Sequence, residues 1–557
     1  MTKMHKRLEE LLLAAGLLTQ EQLDKALRMQ QETGDSLVRT IRHLGYSTDE
    51  NLIKTLELQL GIRQVNLAES VISREVADTI PVSLAERHQV IPIKKHGKAI
   101  TLAMADPTNF FAIDDVHRMT GCEVQPVLAA EREILRAIEQ AYGIKAIVEK
   151  AVNRLPADVI DTVKIQTADE APVIRIVNSL IGQAVKDRAS DIHIEPEAHH
   201  IRVRFRVDGV LREVVSLPRH IHAAIISRLK IMSGLDIAEK RLPQDGRLKV
   251  QEQGREIDLR ISTLPTILGE KAALRILDKD HVILDIKELG FSDANLVRFR
   301  QLFGHAYGML LVTGPTSAGK TTTLYSTLTA VNSPDKNIIT VEDPVEVLLD
   351  GINQVQVNNK AGLTFAKALR SILRQDPNIV MVGEIRDPET ADMAIRAALT
   401  GHLVFSTLHT NDAPGALPRL IDMGIEPFLV ASSVLGVVAQ RLVRLICLSC
   451  KQYYVPDADS RERSFLRLEP AAQVRLYRGA GCSCCGYTGY RGRMAIHEVM
   501  PVTAAIRNLI AARAAGDAIG GLARAEGMST MREDGINKAM QGFTTVEEVI
   551  RVAYSGL

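Results

Sequence analysis

The sequence has no tryptophan, only 4% aromatic residues, and charges that nearly cancel, with 68 Lys and Arg against 67 Asp and Glu. This balance excludes a global field that attracts nucleic acid, and the aromatic–basic pattern of a nucleic-acid surface is also missing. No apolar run approaches the roughly 20 residues that cross a bilayer. The sequence therefore predicts neither nucleic-acid binding nor direct membrane insertion.

The N-terminal segment does not read as a signal peptide, because Glu9 and Glu10 interrupt its apolar stretch. Only six cysteines are present, and four of them form two CxxC pairs, which suits a metal site in a reducing compartment better than disulfides. The length of 557 residues predicts three or four domains. We therefore expect a cytoplasmic protein whose attachment to a membrane, if any, runs through a partner.

Residues 314–321 read GPTSAGKT and match the G-x-x-x-x-G-K-[ST] pattern of a phosphate-binding loop. They lie between a strand candidate at residues 309–312 and a helix candidate at residues 322–330. Lys320 would reach the β- and γ-phosphates, and the Thr321 hydroxyl would hold Mg²⁺. The alternative is a Gly-rich turn. The residues expected to contact the nucleotide here are Gly314, Pro315, Thr316, Ser317, Ala318, Gly319, Lys320, Thr321 and Thr322.

Two further apolar strands, at residues 337–341 and 379–382, end in carboxylates. The first is followed by Glu342 and Glu346, and the second by Glu384. Carboxylates at strand ends near a bound triphosphate can hold Mg²⁺ through water or polarise the attacking water. We therefore expect Glu342 to contact the nucleotide, and Glu346 and Glu384 are candidates for holding its Mg²⁺ or polarising the attacking water.

Two histidines flank another apolar strand at residues 403–407. His409 follows the carboxyl end of this strand, where the neighbouring strands present their carboxylates, so it is a candidate γ-phosphate sensor. A satisfied core histidine is the alternative reading. His402, at the opposite end of the strand, is the second histidine candidate for nucleotide contact.

The first 59 residues contain a repeat, in which residues 7–30 align with residues 36–59. Each unit reads as a helix, a Gly stop, a Thr N-cap and a second helix, which predicts two helical hairpins that form a docking bundle. Residues 90–143 then read as a small α/β unit, with strands near residues 90–94 and 99–103.

Residues 201–215 alternate in polarity around Asp208 and Gly209, which predicts a β-hairpin. The composition and the motifs together predict six segments. These are an N-terminal regulatory or docking domain (1–145), a linker (146–171), an α+β domain (172–282), the ATPase core (283–443), a cysteine module (444–500) and a C-terminal helical region (501–557).

The two cysteine pairs are Cys447 with Cys450 and Cys482 with Cys485, separated by 31 residues. Two such turns suit a tetrahedral zinc site, whose four thiolates leave no open position for catalysis. The alternative is a set of unliganded or redox-active thiols. Cys484 lies inside the second pair and is a competing ligand candidate.

Four segments resemble, in order, the four boxes of the secretion ATPase family, in its type II secretion and type IV pilus assembly branch: GPTSAGKTTT, ITVEDPVE, RQDPNIVMVGEIRDPETA and GHLVFSTLHTNDA. ASDIHIEP, RLPQDGR, RISTLP and TGYRGR match as well, so the resemblance covers nearly the whole chain. It implies a multidomain α/β fold with a helical N-terminal module, a PAS-like α+β domain, a RecA-like P-loop ATPase core and a C-terminal tetracysteine zinc module.

The resemblance also implies a cytoplasmic homohexameric motor that hydrolyses ATP with Mg²⁺ to assemble a pilus or a secretion pseudopilus. Its partners would be an inner-membrane platform protein or a membrane anchor protein with a cytoplasmic domain. Glu346 would orient the attacking water and Glu384 would couple to Mg²⁺. Arg260 and Arg275 would reach the nucleotide from the preceding domain, because guanidinium groups stabilise charge on a transferring phosphoryl group. The alternative for Arg260 is an exposed strand arginine.

The chain departs from the family pattern at its phosphate loop and at its N-terminus. Ser317 and Ala318 stand where the loop usually has Gly-Ser, so a usually unrestricted backbone position carries a Cβ. The N-terminal repeat resembles a cyclic-di-GMP-binding module whose units begin Arg-Leu-Gly. Here Glu9, Ser36 and Val38 replace two glycines and one arginine, which predicts weak or no dinucleotide binding.

Three alternative functions compete with the assembly motor. Residues 505–510 resemble a motif of pilus retraction ATPases, which favours a retraction motor. A nucleic-acid translocase has a similar core but is disfavoured by the charge balance. A nucleotide-gated scaffold with little turnover is favoured by the changed phosphate loop.

Overall fold

Two units make up the chain, Met1–Ile276 and Leu277–Leu557, and each has its own sheets. The structure is a computed structural model that describes residues 12–33, 37–47, 62–67, 72, 74–107, 109–143, 171–252, 254–277, 285–457, 459–467, 469 and 474–553. Apart from Ala171, the predicted linker lies outside these ranges. Among the described residues, no helix combines the length and the apolar character needed to span a bilayer.

The first unit begins with helices that match the predicted repeat. They include α1 Gln20–Thr33 and α2 Leu37–His43. Gly16 and Gly45 have φ angles of +67° and +70°, a region that glycine adopts without strain. Thr19 Oγ1 accepts a hydrogen bond from Gln22 N at 3.3 Å. The two Gly stops and the first Thr N-cap are therefore confirmed, whereas the second N-cap lies outside the described residues.

The small α/β unit contains a three-stranded sheet. Its elements are α3 Arg74–Ala77, α4 Val82–His88, β1 Val90–His96, β2 Ala99–Met104, α5 Phe110–Thr120, β3 Glu123–Leu128 and α6 Glu131–Tyr142. Strands β1 and β2 are antiparallel and confirm the two predicted strands, and β3 runs parallel to β2. Strand β3 was not predicted, because only its last residue is fully buried and it contains Pro126.

A six-stranded sheet completes the first unit. Its elements are α7 Ala171–Lys186, β4 Ala189–Pro196, β5 His200–Val207, β6 Val210–Pro218, α8 His222–Met232, β7 Gln244–Glu252, β8 Arg255–Thr266 and β9 Gly269–Leu277. The strand order is β6-β5-β4-β9-β8-β7. The predicted hairpin is confirmed, since Asp208 and Gly209 have positive φ angles and connect the antiparallel strands β5 and β6. Buried apolar residues of α7 and α8 pack against the sheet.

The second unit is built on a largely parallel sheet. Its first elements are α9 Asp293–Phe303, β10 Gly308–Thr313, α10 Lys320–Val331, β11 Ile338–Glu342, β12 Asn353–Gln356, α11 Phe365–Ile372, β13 Ile379–Val382, α12 Pro388–Leu399, β14 Leu403–Leu408, α13 Ala416–Asp422, α14 Pro427–Ser433 and β15 Val434–Ile446. Six strands pair in parallel in the order β12-β11-β13-β14-β10-β15. The four strands predicted around the nucleotide are confirmed to within one residue at each end. Because parallel strands end at the same edge, the loops after them meet there.

The C-terminal part adds a last strand and helices to this unit. Its elements are β16 Lys451–Tyr454, α15 Arg461–Leu466, β17 Leu476–Gly479, β18 Tyr490–Pro501, α16 Ala504–Ala511, α17 Gly516–Ala525, α18 Met531–Met540 and α19 Val546–Ala553. Strand β18 pairs antiparallel with β15 and is the seventh strand of the sheet. The predicted boundaries after residues 443 and 500 therefore fall inside β15 and β18. The cysteine module is an insertion between two strands of the ATPase sheet, rather than a domain that follows it.

Helix α18 lies along the outer side of β18. The Asp534 carboxylate accepts a hydrogen bond from the His497 N–H at 2.8 Å, and Lys538 Nζ donates to the Ala495 carbonyl at 2.7 Å. The two side chains also form a buried ion pair at 2.5 Å. Side chains of one helix thus satisfy backbone groups at which a further strand would otherwise pair.

Candidate functional site

The phosphate loop connects the carboxyl end of β10 to the amino end of α10. Gly314 and Gly319 have φ angles of +151° and +86°, which a side chain would strain. The loop side chains of residues 315–317 and the Thr321 side chain are exposed, whereas Ala318 is buried. The loop therefore presents an open surface at the N-terminus of α10, where backbone N–H groups favour anions.

Lys320 folds over the start of this loop. Its Nζ donates hydrogen bonds to the carbonyls of Gly314 at 2.9 Å and Pro315 at 3.0 Å, and the residue is only 9% exposed. Burial lowers the pKa of the Lys320 ammonium, and the nearby Glu384 carboxylate opposes that shift. An ammonium group held here by two carbonyls can exchange them for phosphate oxygens, since both are hydrogen-bond acceptors.

Ser317 adopts the left-handed region, with a φ angle of +62°. This conformation costs an L-residue roughly 1–2 kcal/mol relative to glycine. The serine that replaces the usual glycine at this position therefore strains the backbone of the loop.

Glu342, the last residue of β11, is buried among protein side chains. One of its carboxylate oxygens accepts hydrogen bonds from Thr340 Oγ1 at 2.6 Å and Gln354 Nε2 at 3.1 Å, and the other accepts from Tyr325 Oη at 2.5 Å. Both oxygens are thus engaged inside the protein. The expectation that Glu342 contacts the nucleotide is therefore not supported by the geometry, which favours a role in supporting the loop that follows it.

Tyr325 links the phosphate helix to the first carboxylate loop, although it belongs to no motif that can be recognised in the sequence. Its hydroxyl donates to Glu342 and accepts a hydrogen bond from the backbone N–H of Glu346 at 3.2 Å. Burial and the Glu342 carboxylate raise the pKa of the Tyr325 hydroxyl, which keeps it a donor. The tyrosine lies about one and a half turns after Lys320 on α10 and is fully buried.

Glu384 and His409 meet at the carboxyl edge of the sheet. The Glu384 carboxylate lies 3.6 Å from His409 Nε2 and accepts a hydrogen bond from Arg386 Nε at 2.6 Å. His409 remains 45% exposed, and the following Thr410 is fixed to the end of β10 by a hydrogen bond from its N–H to Thr313 Oγ1 at 2.9 Å. The structure thus brings these two predicted residues together beside Lys320.

His402 lies at the wrong end of the sheet for a nucleotide contact. Its carbonyl accepts a hydrogen bond from the Gly308 N–H at the start of β10, and its Nδ1 lies 3.0 Å from the Ala397 carbonyl. The phosphate loop follows the far end of β10, roughly 20 Å away for a strand of this length. The structure therefore does not bring His402 to the phosphate loop, because flanking the same strand does not mean sharing its carboxyl end.

Arg260 and Arg275 both lie on the six-stranded sheet of the first unit. Arg275, on β9, donates from Nε to Asp191 Oδ1 at 3.2 Å, and the same carboxylate also pairs with Arg206 at 3.4 Å. Arg260, on β8, stands opposite Arg247 of β7. Both arginines belong to the unit that precedes the phosphate loop in the chain.

The four predicted cysteine ligands form one cluster, in which all sulfur atoms lie within 4.8 Å of one another. The Sγ distances are 3.7 Å for Cys447–Cys482 and for Cys482–Cys485, and 3.9 Å for Cys450–Cys485. A tetrahedral zinc with Zn–S bonds of about 2.3 Å requires sulfur atoms roughly 3.8 Å apart. Against the effect of burial, backbone N–H groups lower the pKa of Cys485 to about 7. The exposed Cys484 is not part of the cluster.

Two family models match most of the chain. The family model described as "Type II/IV secretion system protein" matches residues 166–551, and the "MshEN domain" model matches residues 60–147. The "Type IV pilus assembly ATPase PilB" of Myxococcus xanthus is 44% identical over 98% of this chain and 99% of its own length. The "Type II secretion system protein E" of Xanthomonas campestris is also 44% identical, over 98% of both chains.

One solved structure extends the comparison to the fold. The Yersinia pseudotuberculosis ATPase DotB aligns with a TM-score of 0.51 over 72% of this chain and 98% of its own, at 21% identity. At that identity the likeness concerns the fold alone, and it is a multidomain α/β ATPase fold.

Proposed function

The chain belongs to the type II/IV secretion system protein family, and on that premise we propose that it is a cytoplasmic, homohexameric ATPase that drives assembly of a pilus or a secretion pseudopilus. The observation that carries the proposal is the phosphate loop with Lys320 at its mouth, next to the Glu384–His409 pair. A loop that holds phosphates and a neighbouring carboxylate and histidine are the parts that phosphoryl transfer to water needs.

Each residue near the loop has a proposed task. Lys320 binds the β- and γ-phosphates, and the exposed Thr321 hydroxyl with Glu384 would hold Mg²⁺, since that ion prefers oxygen ligands. Bound Mg²⁺ supplies charge neutralisation between the phosphates. Glu346 orients the attacking water, and His409 senses the γ-phosphate. Tyr325 fixes the backbone of Glu346 and is a positioning residue.

The first unit would supply Arg260 and Arg275 to the nucleotide from its six-stranded sheet, which we interpret as the family's PAS-like domain. Guanidinium groups suit this task because their fixed fork of donors matches phosphate oxygens. The Asp191–Arg275 ion pair supports this proposal, because it orients the Arg275 guanidinium on the sheet. A nucleotide phosphate would replace the Asp191 carboxylate as its partner.

Zinc is the metal that the cysteine cluster would hold, because four sulfur ligands at tetrahedral spacing suit Zn²⁺. With all four positions taken by protein, its role would be structural. The partners follow from the family: other copies of this chain in the hexamer, and an inner-membrane platform or anchor protein.

Cyclic-di-GMP binding stays a separate prediction. The MshEN match covers residues 60–147, whereas the changed residues Glu9 and Ser36 lie outside the described part of the chain. We still expect weak or no binding, because each lost charged hydrogen bond costs about 1.5–3 kcal/mol. Calorimetry on the full chain with a dissociation constant below about 10 μM would overturn it.

The experiment that tests the motor is a steady-state ATPase assay with matched variants. Lys320→Ala should abolish hydrolysis and weaken nucleotide binding, because it removes the cation that faces the phosphates. Glu346→Gln should keep binding and lose turnover. Glu389→Gln, which alters an exposed carboxylate of α12 that pairs with Arg370 of α11, is the control and should retain both. A Glu346→Gln enzyme with wild-type kcat would remove Glu346 from the catalytic role.

A nucleotide-gated scaffold is the second candidate, and the left-handed Ser317 favours it, because strain in the loop is a reason for slow turnover. Turnover measured with and without the platform protein separates the two. A motor should accelerate with its partner present, whereas a scaffold should stay slow while its nucleotide affinity remains unchanged.

A further inference from the structure

Gln440 of β15 contacts the phosphate loop from beneath. Strand β15 is the parallel neighbour of β10, and its Ala439 pairs with Thr313, the last residue before the loop. Gln440 therefore comes next to Gly314. Its side chain is only 1% exposed, so both of its polar atoms need partners inside the protein.

Both polar atoms of the Gln440 side-chain amide form hydrogen bonds, one with the phosphate loop and one with helix α10. Nε2 donates a hydrogen bond to the Ala318 carbonyl at 2.8 Å, and Oε1 accepts one from Thr323 Oγ1 at 2.8 Å. The Gln440 backbone carbonyl also fills the space where a side chain on Gly314 would stand. One residue thus contacts the start of the loop, its last turn and the first turn of α10.

We propose that Gln440 is a positioning residue of the phosphate loop, which acts by fixing the orientation of the Ala318 peptide; this rests on the proposed nucleotide-binding function. A loop that binds phosphates must point N–H groups toward the anion and carbonyls away from it. The donor from Gln440 holds the Ala318 carbonyl on the far side from the ligand. It does so directly after Ser317, whose left-handed backbone is strained.

The same contacts could serve only to stabilise the fold, and the two roles differ in what they change. A fold-stabilising hydrogen bond alters the melting temperature and leaves nucleotide affinity alone. A positioning residue alters KM and the nucleotide dissociation constant, with a smaller change in kcat, because the bound phosphates depend on the shape of the loop.

The test uses the full-length, metal-loaded chain, fluorescent ADP as the probe, and ATPase kinetics. Gln440→Met keeps the size of the side chain and removes both hydrogen bonds. This substitution leaves the Ala318 carbonyl and the Thr323 hydroxyl without partners. ADP binding should weaken by about 10- to 100-fold, which corresponds to the usual free-energy cost of unpaired buried polar groups. Thr323→Val removes one of the two contacts and should weaken binding by a smaller factor.

Thr327→Val is the matched control, because Thr327 is an equally buried threonine on the same helix whose hydroxyl bonds the Thr323 carbonyl, not Gln440. It should lower stability without changing ADP affinity. A folded Gln440→Met protein that binds ADP within twofold of wild type would overturn the proposal. If that variant does not fold, equal affinities of Thr323→Val and Thr327→Val would overturn it. If wild-type protein binds no ADP, the proposed function itself fails first.

Discussion

The phosphate loop and the cysteine cluster are both short motifs recognised by their spacing, yet they are held in place differently. The four sulfurs are brought together by two turns of the same inserted module, and each ligand is itself part of the motif. The phosphate loop, in contrast, depends on a residue of another strand, Gln440 on β15, and the neighbouring carboxylate loop depends on Tyr325 of α10. A motif of side-chain ligands specifies its own site, whereas a motif of backbone groups needs support from the rest of the fold.

The largest effect should come from two arginines of the first unit. Arg260→Ala and Arg275→Ala should each lower kcat by about 10³-fold or more, with a smaller effect on nucleotide affinity, if they neutralise charge in the transition state. Lys249→Ala, on the same sheet and 62% exposed, is the control. A folded variant with unchanged kcat would mean that these arginines contribute only to the structure of the sheet. The nucleotide site would then depend less on distant residues, and its contrast with the cysteine cluster would be weaker.

The cysteine cluster should depend on its four ligands alone. Purified wild-type protein should hold about one zinc per chain. Cys447→Ser should lose the zinc and destabilise the cysteine module, because the two CxxC turns have little hydrophobic core of their own. Cys484→Ser, the exposed neighbour, should leave zinc content and stability unchanged. Metal analysis after gel filtration measures the zinc content, and thermal unfolding measures the stability. Zinc lost from Cys484→Ser but kept in Cys485→Ser would mean that the ligand set is misassigned.

Tyr325→Phe sharpens the comparison, since it removes one hydroxyl that supports the catalytic loop and no group that meets the ligand. Loss of a hydrogen bond to a charged group costs about 1.5–3 kcal/mol, so we expect kcat to fall by roughly 10- to 100-fold with KM little changed. Stopped-time ATPase assays over a range of ATP concentrations provide the two constants. Unchanged kcat would show that Glu346 is positioned without the tyrosine.

The smallest effect should come from relief of strain within the loop. Ser317→Gly removes the Cβ from a left-handed residue, a gain of roughly 1–2 kcal/mol that is offset in part by the greater freedom of glycine in the unfolded chain. We expect a few-fold tighter ADP binding. Ala318→Gly makes the neighbouring change at a buried residue and should not improve binding. Weaker binding by Ser317→Gly would show that the serine side chain itself contributes to the site.

Much of the fold could be predicted because the pattern of apolar residues along each segment determines it. The apolar runs that became β10, β11, β13 and β14 are buried along their whole length, which is the pattern of central parallel strands. The pairing of β15 with β18 could not be predicted in the same way, because 43 residues separate Ile446 from its partner Tyr490. Local patterns do not report which distant strands meet.

The same limit explains which site residues were found. Lys320, Glu384, His409 and the four cysteines belong to motifs that can be read along the chain, and the structure places each group together. Gln440 is 120 residues from Lys320 and carries no motif, so only the pairing of β10 with β15 reveals it. Glu342 and His402 lie where the sequence puts them, at strand ends, but the sequence does not show that the Glu342 side chain turns inward or that His402 lies at the opposite edge of the sheet.

The helix side chains along β18 have a consequence for how copies of this chain coexist at high local concentration. An edge strand with free backbone groups recruits strands from other molecules and seeds aggregation. Asp534 and Lys538 occupy the N–H of His497 and the carbonyl of Ala495, and the exposed Arg491 and Arg493 place charge on the other half of the strand. The edge is thus chemically blunted, which disfavours the joining of sheets from separate copies of this chain into a common fibre.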